Sequence, residues 1–236
     1  MRLLIVIPAF NEEANIVRVV EELQSVAGRY DYIVVNDGSL DQTAALCRTH
    51  GFPLLDLPVN LGLTGAFQAG IRYACDAGYD AVIQLDADGQ HDPRYILPML
   101  QCMEKENLDL VIGSRFVTVK KPRTLRMVGN ALIQRLIRLT THETISDPTS
   151  GMRLYGNRLI WRMAYGLNLR PEPDTIAYLI RCGARVKEVQ VEMRERIAGE
   201  SYLTFTRSLR YMLQTGLNIL MLQFILRKED LTCPGQ

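Results

Sequence analysis

Residues 83–93 read IQLDADGQHDP and bring Asp86, Asp88 and Asp92 together directly after the apolar run Ala81-Val82-Ile83-Gln84-Leu85. Carboxylates gathered where a buried strand ends lose solvation and repel one another unless something neutralises them. Asp86 and Asp88, at i and i+2, could share a small hard cation, Mg2+ or Mn2+, that keeps open positions for phosphate oxygens. That chemistry suits a nucleoside diphosphate. Asp92 reads differently, because Asp before Pro93 is a common helix start and its carboxylate should cap the helix. His91 reads as an exposed turn residue and not as a ligand.

Elements that could position these groups follow from the periodicity. Apolar runs predict buried strands at 3–7, where Pro8 should stop the strand, and at 32–35, 52–57, 81–85 and 108–112. Between them, helical spacing or start signals predict helices from Ile16 to near Gly28, then at 41–50, 64–75 and 93–104, with Asp41 as an N-cap. Alternating strands and helices imply an α/β fold, a mostly parallel sheet with helices on both faces. In such sheets ligands bind beyond the carboxyl ends of the strands. Those ends carry Pro8-Ala9-Phe10-Asn11-Glu12, Asn36-Asp37-Gly38-Ser39 and Asp86-Ala87-Asp88, so four carboxylates should converge on one rim. Beyond residue 113 the pattern is more helical, at 123–140, 156–165 and 172–182. A strand marked by Val189, Val191 and Met193 follows, then a last helix at 203–226.

Composition narrows the classes. The chain has 236 residues, 47% apolar, and a formal net charge of +1. It can bury one sizeable core, and it is no nucleic-acid binder driven by bulk charge. Five cysteines without CxxC spacing read as reduced intracellular thiols. The N-terminal apolar run is too short for a signal peptide.

The blocks VIPAFNEE, VVNDGSLDQT, NLGLTGAFQAG, QLDADGQHDP, VIGSRF, DPTSGMRLY and RERIAGES, in this order, resemble family 2 glycosyltransferases of the GT-A fold. The polyprenyl-phosphate and dolichol-phosphate sugar synthases are the most similar group. The resemblance spans roughly residues 2 to 226. It implies that Pro8, Phe10, Glu12 and Asp37 hold the base and ribose of a nucleotide sugar. Asp86, Ala87 and Asp88 would lie along the nucleotide, with Asp86, Asp88 and Gln90 at a divalent metal. Arg115 and Arg196 would contact phosphates, and Arg126 and Asn130 the acceptor phosphate. Overall resemblance favours uridine over guanosine in the donor. Tyr202 stands where many relatives carry a lysine. A sugar nucleotidyltransferase would usually carry a Gly-rich basic loop where this chain reads PAFNEE.

The acceptor decides what the second half must do. A sugar hydroxyl needs a carboxylate base, whereas a lipid phosphate is already an anion and needs cations to position it. From Leu110 to His142 there is no acidic residue, but Arg115, Lys120, Lys121, Arg123, Arg126, Arg135 and Arg138 lie there. This could be a solvated face or a surface for phosphate and anionic headgroups. Asp147 is the first candidate for an acid acting on the acceptor side, and Asp174, at a helix start, the second. The C-terminal segment from 203 has an uncharged stretch of only 16 residues, Tyr211 to Leu226, short of the roughly 20 that cross a bilayer. Arg207, Arg210, Gln214 and Asn218 form a polar stripe on it. It should lie in the membrane surface, meet a small membrane-protein partner or second subunit, or join the core. The expected organisation is a catalytic domain at 1–200 and an associating helical segment at 201–236. The expected activity is metal-dependent, inverting sugar transfer from a nucleotide sugar to polyprenyl phosphate at the cytoplasmic membrane face. Transfer to a saccharide hydroxyl and a catalytically silent scaffold are the alternatives.

Overall fold

Strand β1 (Leu3–Ala9) is buried at every position, as its unbroken apolar run requires. The other strands are β2 (Asp31–Asn36), β3 (Leu54–Asp56), β4 (Ala81–Gln84), β5 (Leu110–Ser114), β6 (Arg153–Gly156) and β7 (Val186–Gln190). The computed structural model describes residues 1–122, 125–166, 170–194 and 212–221, with 125 and 126 described by backbone alone. Its seven strands form one sheet in the order β3-β2-β1-β4-β6-β5-β7. Only β6 is reversed, running antiparallel to both β4 and β5.

Helices α1 (Ile16–Ala27), α2 (Thr43–Thr49), α3 (Gly62–Asp76), α4 (Ile96–Glu106), α5 (Leu125–Thr141), α6 (Asn157–Tyr165) and α7 (Pro173–Arg181) cover the sheet. Side chains alternate across a strand, so β1 feeds two cores. Leu3, Ile5 and Ile7 pack with Val20 and Leu23 of α1 and Met99 of α4. Leu4 and Val6 pack with Phe67 and Ile71 of α3, in a cluster that also holds Ile133 and Ile137 of α5. This is the expected α/β arrangement.

Three local expectations are corrected. Pro8 does not stop β1, because it pairs with Val35 of β2. Val6 accepts from Leu85 on the β4 side, and Pro8, two residues on, turns its missing N–H to that side after β4 has ended. Strand β6 was not foreseen. Its four residues RLYG carry no apolar run, and buried Arg153 is satisfied by the carbonyls of Ser150 and Pro148. Asp41 is not the residue next to α2, although its carboxylate accepts from Thr43 N at 2.9 Å and from Glu13 N at 3.0 Å.

Of the C-terminal helix foreseen at 203–226, residues 212–221 are helical and the remainder lies outside the described residues. Met212 packs so closely over Gly129 of α5 that a Cβ there would collide with its sulfur. Ile219 is fully buried in the core with Ile133 and Ile137. Asn218 donates to Asp174 of α7 at 3.2 Å, so it faces the domain instead of continuing a solvent-facing polar stripe. Leu213, Leu217, Leu220 and Met221 remain exposed on the outer side. No helix among the described residues is long and apolar enough to cross a membrane.

Candidate active site

Strand β1 pairs with β4 only along Leu3–Val6, while Ile7–Ala9 continue against β2 alone. The sheet therefore opens between the carboxyl ends of β1 and β4, where the strand order reverses. A cleft of about 400 Å3 lies there, lined by Pro8, Phe10, Glu12, Asp37, Asp86, Ala87 and Asp88. These are the donor-side residues expected from the sequence, brought from three strand ends to one cavity. Arg196, expected with them, lies outside the described residues.

Asn60, Gly62, Leu63 and Ala66 complete the wall and were not singled out from the sequence. They belong to the start of α3 and the turn before it, where the positive end of the helix dipole favours an anion. The signal was available in the turn NLG just before a helical pattern. Asp37 ties this wall to the sheet, since its N–H donates to Ala9 O at 2.8 Å and its carboxylate accepts from Leu61 N at 2.7 Å. Gly38, at φ 64°, allows the close crossing, because a Cβ would come within 2.7 Å of the Asn60 nitrogen.

The acidic loop is tightly organised. Gln84 donates to Asp86 Oδ1 at 2.8 Å, and Asp88 Oδ1 accepts from Gln90 N at 3.0 Å. Asp88 is buried, though it lines the cleft. Among the described residues no three His, Cys, Asp or Glu side chains cluster around one point. Two carboxylates and the Gln90 amide are a partial ligand set, and that fits a hard cation whose remaining ligands are diphosphate oxygens.

His91 is corrected from an exposed turn residue to a buried one, 4% accessible. Its Nδ1 accepts from Asp86 N at 3.0 Å, and its backbone bridges to Met193. Asp92 is the helix cap expected, accepting from Arg94 N at 3.0 Å in front of a 3-10 turn, Pro93–Tyr95, that leads into α4. It also pairs with Arg194 at 2.9 Å. Burial alone would raise its pKa, but the hydrogen bonds from Arg94 and Arg194 reverse that and hold it at about 2.

A second cluster lies beyond β5. Arg115 follows that strand directly and meets both carboxylate oxygens of Asp147, at 2.7 and 2.9 Å. Asp147 is fully buried. Asn130 of α5 donates to Thr149 Oγ1 at 3.0 Å and accepts from Lys121 Nζ at 3.4 Å. Glu188 of β7 accepts from the backbone nitrogens of Ser146 and Asp147, which fixes the turn. Burial pushes the Lys121 ammonium below the usual lysine range, against the pull of Asp147 and Glu188. Arg126 is in α5, but its side chain is outside the described residues. Asp174 accepts from Thr175 N and from Asn218, the engagement of a helix-start charge.

A doubly covered sheet with one reversed strand, opening on an acidic cleft at its switch point, defines a GT-A-type sugar transferase. The model of glycosyl transferase family 2 matches residues 4–164, and the chain belongs to that family. It is 29% identical to an undecaprenyl-phosphate mannosyltransferase of Micrococcus luteus, over 86% of this chain and 88% of the relative. It is 30% identical to a polyprenol monophosphomannose synthase of Mycolicibacterium smegmatis, over 86% of this chain and 81% of the relative. A crystal structure of glucosyl-3-phosphoglycerate synthase from Mycobacterium tuberculosis, with Mn2+, UDP-glucose and phosphoglyceric acid, superposes with a TM-score of 0.69. That match covers 95% of this chain and 80% of the other at 18% identity, a likeness of fold. The chain is a glycosyltransferase.

Proposed function

We propose that the enzyme transfers a sugar from a nucleotide sugar, a uridine diphosphate sugar by resemblance, to the phosphate of a polyprenyl phosphate at the cytoplasmic membrane face. The observation that carries this reading is the state of the two acids considered for a base. Asp147 has both oxygens on Arg115, and Asp174 is engaged by Thr175 and Asn218. Arg115 and Lys121 supply cations beside Asp147. A site with its acids engaged and its cations at hand suits an acceptor that is already an anion. The named activities of the two bacterial relatives support the same acceptor class.

In this reading Pro8, Phe10, Glu12 and Asp37 hold the nucleoside, and the start of α3 faces its negative charge. Asp86, Asp88 and Gln90 would hold Mg2+ or Mn2+, which when bound stabilises negative charge on the departing diphosphate. Arg196 would contact the donor phosphates. Arg115, Arg126 and Asn130 would orient the acceptor phosphate so that its oxygen approaches the sugar C1 opposite the leaving group, giving inversion. Asp147 acts through Arg115 and does not take a proton.

Membrane association is supported by the surface next to this cluster. Val128, Leu132 and Leu139 of α5 are exposed at 66%, 43% and 74%, beside exposed Arg135 and Arg138. Leu213, Leu217, Leu220 and Met221 extend the apolar patch. Leucines among arginines suit the headgroup boundary of an anionic bilayer. A small membrane-protein partner or a second subunit would be an alternative cover for the segment from 201 onward.

The test is transfer from a panel of radiolabelled nucleotide sugars in the presence of polyprenyl-phosphate vesicles and Mg2+ or Mn2+. Label should enter the organic phase with one donor and leave it again on mild acid treatment. Label appearing only on a water-soluble saccharide would replace the lipid acceptor with a hydroxyl one.

A further inference from the structure

Strand β7 pairs only with β5 and ends the sheet on that side. Side chains alternate across a strand, so Glu188 and Gln190 of β7 share one face. Each reaches a different member of the Arg115–Asp147 pair. Glu188 accepts from Ser146 N at 2.6 Å and from Asp147 N at 2.7 Å. Gln190 Nε2 donates to Arg115 O at 3.0 Å, and its Oε1 accepts from Thr118 N at 2.9 Å. The register explains the reach. Gln190 lies opposite Ser114, the last residue of β5, and Arg115 comes next.

The Gln190 amide is fully engaged. Nε2 also donates to Val191 O at 3.0 Å, and Oε1 also accepts from Thr118 Oγ1 at 3.2 Å. Both hydrogens and the carbonyl oxygen are in use, so the amide has one orientation and acts as a rigid spacer. Arg115 is held at four points. Its backbone nitrogen, Nε and Nη2 all meet Asp147, at 3.2, 2.7 and 2.9 Å. Only the fourth bond, from Gln190 to the carbonyl, ties the arginine to the neighbouring strand and not to the acid. The same turn carries Lys121. Arg115 Cζ and Lys121 Nζ lie 5.2 and 5.4 Å from the centroid of the Phe116 ring, so a shift of this turn would move both cations.

We propose that Gln190 is a positioning residue of the acceptor site: by bridging Arg115 O and Thr118 N it sets where the guanidinium stands for the acceptor phosphate. This rests on the acceptor reading above. An arginine fork matches a phosphate only in a fixed plane and place, and a small misplacement of such a group is costly.

Gln190→Met keeps the length of the side chain and loses all four bonds. Its transfer kinetics would be measured with polyprenyl phosphate in detergent micelles, varying acceptor and donor separately, with thermal melting and UDP binding in parallel. The expected result is an acceptor kcat/KM lower by about 10- to 100-fold, with donor KM and UDP binding unchanged. The same substitution in an Arg115→Lys background should change acceptor kcat/KM by no more than about twofold, because a flexible ammonium does not depend on a fixed plane. An acceptor kcat/KM at the wild-type level in Gln190→Met overturns the proposal. So does an equal loss in both backgrounds, which would mean that the amide does not act through Arg115. Donor and acceptor parameters that worsen together with melting temperature would mark a purely structural amide, and that also overturns it. If Gln190→Met does not fold, Gln190→Glu decides by the same criteria, since a carboxylate of the same shape accepts from Thr118 but cannot donate to Arg115 O. Wild-type protein that transfers to a saccharide and not to polyprenyl phosphate would overturn the acceptor reading itself, a result distinguishable from failure of the variants.

Discussion

Arg115 and Asp147, 32 positions apart in sequence, form a two-point ion pair with Nε–Oδ2 at 2.7 Å and Nη2–Oδ1 at 2.9 Å. The fork geometry fixes the plane of the guanidinium. Glu188 reinforces it by holding the backbone at Ser146 and Asp147, and Gln190 by donating to Arg115 O at 3.0 Å. The arginine's Nη1 hydrogens make no bond to the described residues and are available to an anion.

Asp147→Asn tests whether the acid positions or accepts a proton. An amide cannot accept both guanidinium bonds, so Arg115 should lose its fixed plane. The expected result is a fall of about 10- to 100-fold in kcat/KM for the lipid phosphate, with the donor KM little changed and the shape of the pH–rate profile kept. A general base would show itself by loss of the acidic limb of that profile. Steady-state kinetics between pH 5.5 and 9 separate the outcomes (a range of about this width brackets the relevant ionisations).

Asp88→Asn should abolish transfer, by about 100-fold or more, while melting as wild type does. The residue is buried and lines the cleft, and its neutral analogue cannot supply the charge a divalent ion requires. Calorimetry with UDP should show metal-dependent binding in wild type and little metal dependence in the variant. Full transfer activity of Asp88→Asn in the presence of a chelator would remove Asp88 from the metal.

Asp92 offers a stability test independent of catalysis. Its folded pKa of about 2 is below the ordinary 3.8, because the bonds from Arg94 and Arg194 outweigh the opposing effect of burial. A depressed carboxyl stabilises the fold above pH 4, and this contribution is lost as pH falls from about 4 through 2. Asp92→Asn should therefore cost about 1–2 kcal/mol at pH 7, a few degrees in Tm. The deficit should shrink toward pH 2. A constant difference across that range would mean that packing, not charge, is lost.

The first five strands were legible because each is an apolar run bounded by turns, and the donor cleft followed from where those runs end. Pro8, Phe10, Glu12, Asp37, Asp86 and Asp88 meet because parallel strands present their carboxyl ends together. The rest was hidden for physical reasons. β6 is four residues long and includes a buried arginine whose partners are carbonyls, so it looks polar. The engagement of Asp147 depends on Arg115, 32 positions away, which spacing does not reveal. His91 has the composition of a turn, and its neighbours Met193 and Gly151 come from segments far away in sequence.

The last prediction separates the two faces of the helix at 212–221. Ile219 is fully buried in the cluster with Ile133 and Ile137, and Gly216 approaches Leu136 within 3.1 Å of a notional Cβ. This face belongs to the domain, so Ile219→Ala should destabilise it by about 2–5 kcal/mol through lost burial and a residual cavity. Leu213, Leu217 and Leu220 are exposed at 55%, 60% and 42%. Their combined replacement by glutamine touches no core contact and should change stability by less than about 1 kcal/mol. It should sharply reduce flotation with anionic vesicles, because those side chains would enter the headgroup boundary beside Arg135 and Arg138. Donor binding should be unchanged, since the cleft is built from β1, β2, β4 and α3. A triple variant that floats as wild type does would remove this face from the membrane. One that no longer associates with a co-purifying subunit, while vesicle binding persists, would assign the face to a partner instead.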